Sequence, residues 1–242
     1  MVEFARDRFL TVRACYSLDV YQGVLRLQRI RSITVATASM LGAVSGLLSL
    51  MKVSIPFPVL PYLKIDFAEI PDFLALMVMG TVGGGLTATV HFAVILARSG
   101  NLFSASMKYV AVLSTMVGFI VSRPLVEKMG FRGNPKNLVV AGLSLASASR
   151  VAVMTVLNIL MFTVLFPNYL VFAKKTLEAF GLEITSDLEA LYYALAFTGL
   201  YNLLNTVVAV VPALLILKAL KTFLEKSYKQ PVWIYSGSEK RA

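Results

Sequence analysis

The chain has 242 residues, is 57% hydrophobic and only 15% charged, and has a mean hydropathy of +0.75. A soluble domain is nearer half apolar and a quarter charged, so this composition belongs with membrane proteins, and the length suits roughly six spans of about 20 residues. The single cysteine, Cys15, excludes an internal disulfide and a cysteine-built metal cluster, and a net charge of +10 fits either nucleic acid or a positive-inside membrane protein.

Residues 1–32 carry Arg6, Arg8, Arg13, Arg26, Arg29 and Arg31 with no apolar core before a small-residue cleavage site. We expect a basic cytoplasmic arm there and no signal peptide. The first span is expected over 33–51. Its small residues Ala36, Ala38, Gly42, Ala43 and Gly46 recur at about four-residue spacing, which suits either internal packing or a docking face for another membrane subunit. Prolines 56, 58, 61 and 71 then break the helical pattern. The segment between spans one and two is unusually apolar for a solvated loop, and "YLKIDF" alternates as a short strand with one buried face would. A lid over residues 56–66 is expected.

Short spans follow at 67–79 and 86–97, joined by a glycine-rich turn at Gly80, Gly83, Gly84 and Gly85. Such segments are tolerated at membrane depth where protein or a cavity shields them, and in transporters they often lie near the ligand. Glu69 and Asp72 suit a helix start, and Pro71 fits only a first turn, so the regular helix should begin nearer Glu69 than Phe67. The remaining spans are expected at 106–122, 137–166 and 188–220, with a basic cytoplasmic tail over 223–242.

With the N-terminus inside, sixteen of the 23 basic residues fall on cytoplasmic segments. The outer segments keep Lys52, Lys64, Arg98, Lys108, Lys174 and Lys175. The bias predicts six helices with both termini cytoplasmic and an extracellular lid, and it accounts for the charge without nucleic acid, for which no aromatic-interleaved basic motif is present. Walker A, HExxH and GxSxG patterns are absent, so neither an enzyme nor a metal site is expected. His91 is isolated in an apolar run, which suits packing or a helix–helix hydrogen bond. The carboxylates read as loop residues. Arg150 falls inside the fifth span, where it must snorkel, find a polar partner or meet an anion.

Asn158, Asn202 and Asn205 are amides within spans five and six. A bare buried amide costs on the order of 1–3 kcal/mol, so each bonds a neighbouring helix or a ligand. With Tyr201, Phe162 and Phe197 nearby, they would suit a flat heterocycle.

"LKIDFAEIP", followed by a short helix and a glycine-rich turn, resembles the substrate-binding S components of energy-coupling factor (ECF) vitamin transporters, most closely the riboflavin-specific branch. "VMTVLNILMFTVLFPNY" is similar to that branch's fifth helix and "GLYNLLN" to its sixth. The chain departs from the pattern at Gly80–Thr81, where the family has glycine–proline, at Asn205, where it has lysine, and in the fourth helix, which reads "SASMKYVAV" with Lys108. The resemblance implies an all-α, six-helix, multi-pass protein of the cell membrane, with one substrate-binding domain over 33–222. It would bind riboflavin as transported ligand and hold no cofactor. Its implied partners are a coupling transmembrane subunit, reached through the first-helix small residues, and two cytoplasmic ATPases that do the hydrolysis. The implied pocket residues are Tyr62, Lys64, Asp66, Lys108, Asn158, Tyr201, Asn202 and Asn205. Pantothenate or a thiamine precursor is the alternative ligand, and a scaffold whose amides only join helices is the alternative role.

Overall fold

The computed structural model describes residues 32–129, 135–228 and 232–235. The expected arm over 1–32 lies almost wholly outside the described residues. Residues 38–242 form one compact unit; of the other unit, 1–37, only the opening of the first helix is described.

Helix α1 (Ser32–Leu50) is followed by a two-stranded antiparallel hairpin, β1 (Ser54–Pro56) and β2 (Lys64–Asp66), in which Ile55 faces Ile65. This is the strand expected from the alternation of "YLKIDF". Asp66 is the N-cap of a 3-10 turn (Phe67–Glu69), and its side chain accepts from the Ala68 N–H at 2.8 Å. Helix α2 (Ile70–Ser99) starts there, with Pro71 in its first turn, where a missing N–H is harmless.

Helix α2 consists of two helical limbs joined at a kink at Gly80. Gly80 has φ 77° and ψ −161°, a conformation open essentially to glycine alone. The Asp72 carboxylate lies 2.7 Å from His91 Nδ1, although nineteen residues of straight helix would separate them by about 28 Å. Residues 81–99 therefore run back alongside 70–79. The expectation of two short segments hinged at Gly80 describes this hairpin, with the return limb longer than 86–97. Ten residues of helix reach only about 15 Å, so 70–79 cannot cross a hydrocarbon core of roughly 30 Å unaided. Among the described residues, five helical stretches have the length and apolar composition to cross a membrane: Ser32–Leu50, Phe67–Ser99, Leu102–Lys128, Lys136–Leu165 and Asp187–Leu224, of which Phe67–Ser99 is the stretch bent back at Gly80.

Helix α3 (Leu102–Lys128) is capped by Asn101, whose side chain accepts from the Ser104 N–H. Helix α4 (Pro135–Leu160) passes into a π-helical turn (Met161–Leu165) and stops at Phe166, because Pro167 disfavours the helical conformation in the residue before it. Helix α5 (Pro167–Ala179), an element the sequence reading did not anticipate, leads into α6 (Asp187–Tyr228). The expected tail from 223 is structured in part: α6 continues to Tyr228, and Val232 and Ile234 are buried in the core. Trp233 sits over the Gly80 turn, its ring 2.8 Å from where a glycine Cβ would stand, and its carbonyl accepts from Arg123.

Two apolar cores stack along α6. One gathers residues 70–79, α3, α4 and the 209–217 part of α6; the other gathers Phe57 and Leu60 of the lid, α5 and the 190–194 part of α6. Polar residues Asn202, Asn205 and Thr206 lie on α6 between them, all buried.

Candidate functional site

A cavity of about 520 Å³ lies beneath the lid, within the roughly 300–1,000 Å³ typical of small-ligand sites. The hairpin roofs it, α3 and α4 wall one side, and α5 and α6 the other. Seven of the eight expected contact residues line it: Tyr62, Lys64, Asp66, Lys108, Asn158, Tyr201 and Asn202.

Asn205 does not line it. Its Nδ2 donates to Glu69 Oε1 at 2.9 Å, and its Oδ1 accepts from the Asp66 N–H at 3.0 Å. It is fully buried and ties α6 to the 3-10 turn and to β2. Phe197, expected among the pocket aromatics, packs against the lid-side core.

The lid is tied down on its β2 side. The Asn205 bond reaches the backbone of Asp66, and the Tyr201 hydroxyl donates to the Lys64 carbonyl at 2.9 Å. Lys108 pairs with the Asp66 carboxylate, bringing the two expected charges into one contact. Phe57 packs edge-on against Tyr201, and Tyr62 lies 5.6 Å from the Phe172 ring, so aromatic contacts join the lid to α5 and α6.

The floor holds Arg150 with the partner that the sequence reading left open. Arg150, 2% exposed, donates to both oxygens of Glu69, 1% exposed, at 2.6 and 3.1 Å. Its Nε donates to Asn202 Oδ1 at 3.1 Å, and Asn202 Nδ2 is spent on the Thr198 carbonyl. Arg150 therefore pairs rather than snorkels. The expectation that carboxylates belong to loops fails for Glu69 and Asp72: the hairpin carries both into the bundle. Asp72 accepts from Ser45 at 2.9 Å and meets His91, so the lone histidine does join two helices. A bundle-facing charge in a membrane protein is paired as a rule, and Arg150 was itself the signal that a buried acid must exist.

Asn158 differs from the other amides. It is buried on the cavity wall beside Phe162, and its Nδ2 has no hydrogen-bond partner among the described residues.

The small residues of α1 divide. Gly42 and Gly46 pack so closely on Val90 and Val94 that an added Cβ would lie 2.7 and 2.9 Å away, and Ala38 is buried with its carbonyl accepting from Thr87. Those three positions serve the contact between α1 and residues 81–99, while Ala43 remains exposed. Ala36 lies in the separate unit ending at residue 37.

A family model described as the ECF transporter, substrate-specific component, matches residues 33–217. The chain belongs to that family. No curated protein matches it. A solved bacterial structure, reported as the S component of an ECF transporter, shares its fold with a TM-score of 0.59 at 22% identity, covering 81% of this chain and 99% of its own. This S component is thus a multi-pass cell-membrane protein and a substrate-binding subunit, not itself a catalyst. The cavity is where such a subunit has room for a ligand.

Proposed function

We propose that this S component captures riboflavin in the cavity from the outer face of the membrane, for ATP-driven uptake by a coupling transmembrane subunit and two ATPases. The observation that carries the substrate reading is Asn158. Its amide nitrogen is buried without a partner among the described residues on a wall shared with Phe162, and a carbonyl on a planar ring would complete it. The remaining floor polar groups are already satisfied by one another, so they shape the site and leave the reading of the ring to Asn158 and the aromatic side chains. The lid end faces outward in this proposal. Gly80, Arg123 and Trp233 gather at the opposite end, which this proposal assigns to the cytoplasmic side on the charge bias of the sequence. The exposed side of α1, which keeps Ala43 from the predicted stripe, is the docking surface we assign to the coupling subunit.

The test is flavin fluorescence in purified protein. Binding predicts quenching at micromolar riboflavin, abolished by Asn158→Leu. Absence of quenching overturns the substrate and leaves the family membership intact.

A further inference from the structure

Cations outnumber carboxylates around the cavity. Lys52, Lys64, Arg98, Lys108 and Arg150 line it, against Asp66 and Glu69 alone. Both carboxylates are committed, Asp66 to Lys108 and Glu69 to Arg150. Lys52, Lys64 and Arg98 have no carboxylate partner among the described residues. Acid is not scarce nearby: Glu178, Glu183, Asp187 and Glu189 lie on α5, the following turn and the start of α6, yet none lines the cavity. The charges of this end are therefore segregated, with the unpaired positive ones at the mouth.

The backbone adds to the same sign. Asn101, Phe103 and Ser104, at the start of the 27-residue helix α3, line the cavity beside Arg98. A helix N-terminus carries positive partial charge and free N–H groups. The opposing negative end of α1 is already answered, because Arg98 donates to the Ser49 carbonyl. A guanidinium has five donors, so Arg98 keeps others for a ligand.

We propose that this rim is an anion subsite, so that besides riboflavin the cavity takes, and takes more tightly, a ligand that carries a carboxylate or phosphate beyond the group read at Asn158. The inference rests on the substrate-capture reading of the cavity. A neutral vitamin would leave the three rim cations unanswered; an anionic one would gain charge-assisted hydrogen bonds from them.

The test uses matched ligand pairs and intact protein in zwitterionic lipid nanodiscs: riboflavin with its 5′-phosphate, and pantothenate with its neutral alcohol analogue. Inorganic phosphate serves as a competitor. In whichever pair binds, the anionic member should bind about tenfold more tightly at low salt, with the advantage shrinking as salt rises and as phosphate is added. Lys52→Gln combined with Lys64→Gln should collapse the anionic-to-neutral affinity ratio towards one, whereas a purely structural role would weaken both members alike. Binding of the pantothenate pair with that rim dependence, and of neither flavin, removes the flavin reading and keeps the subsite. Equal or tighter binding of the neutral member overturns the subsite, as does a ratio unmoved by the double variant, which would assign the rim to lipid headgroups. Failure of both pairs to bind overturns the proposal together with the cavity reading it rests on.

Discussion

Replacing Glu69 by leucine would leave Arg150 buried with no counter-charge. Arg150 is 2% exposed and gives two hydrogen bonds to Glu69, so neither water nor a side-chain swing can readily replace the lost carboxylate. Glu69 Oε1 also accepts from Asn205, whose Nδ2 would be orphaned too. Removing one partner of a buried pair costs about 3–5 kcal/mol, and a chain of this size shifts its melting temperature by roughly 2–4 °C per kcal/mol. The expected fall is therefore on the order of 6–20 °C in detergent-solubilised protein, read by tryptophan fluorescence or a thiol-reactive dye. Arg150→Met alone should fall less steeply, because Asn205 Nδ2 still donates to the Glu69 carboxylate. The double variant Glu69→Leu/Arg150→Met should recover more than half of the Glu69→Leu loss, since replacing both charges by apolar groups of similar volume is often neutral. Additive losses in the double variant, or a Glu69→Leu loss below about 1 kcal/mol, the usual ceiling for exposed pairs, would show that the pair is solvated and refute the reasoning.

Gly80→Ala should destabilise by at least about 1–3 kcal/mol, from a backbone conformation that alanine avoids and from collision with the Trp233 ring; adding Trp233→Ala should recover only the collision part, as thermal melts would show. Tyr201→Phe removes the hydroxyl bond to the Lys64 carbonyl and should cost about 0.5–1.5 kcal/mol, seen as faster amide hydrogen exchange across residues 54–66; unchanged exchange there would mean that this bond does not hold the lid. Asn158→Leu and Asn205→Leu should separate binding from stability. The first should abolish ligand binding with little change in melting temperature, because its Nδ2 is already without a partner among the described residues, and the second should cost about 2 kcal/mol or more, because it orphans the Asp66 N–H and removes one of the two donors to Glu69 Oε1. Equal melting losses in the two variants would contradict the division between them.

Composition and hydropathy settled that this chain lives in a membrane, and its apolar runs located most of the long helix starts to within a few residues. The lid hairpin, the start of α2 near Glu69 and the glycine hinge were legible because each depends on local chemistry: strand alternation, a proline that tolerates only a first turn, and a residue without Cβ. Seven of the eight candidate contacts lie on one cavity: Tyr62, Lys64 and Asp66 because the lid folds over it, and Lys108, Asn158, Tyr201 and Asn202 because a polar residue in an apolar span has few places to go. Tertiary structure alone decided which of those polar residues face the cavity and which face each other. Asn202 and Asn205 are three residues apart on one helix, yet one reaches the cavity wall and the other is consumed by Glu69 and the lid backbone. Glu69 and Asp72 read as helix-start acids beside the lid until the assembled bundle set Arg150, His91 and Ser45 against them. Burial and pairing are properties of the assembled bundle, fixed by which helix comes to lie beside which, and no local window of sequence contains them.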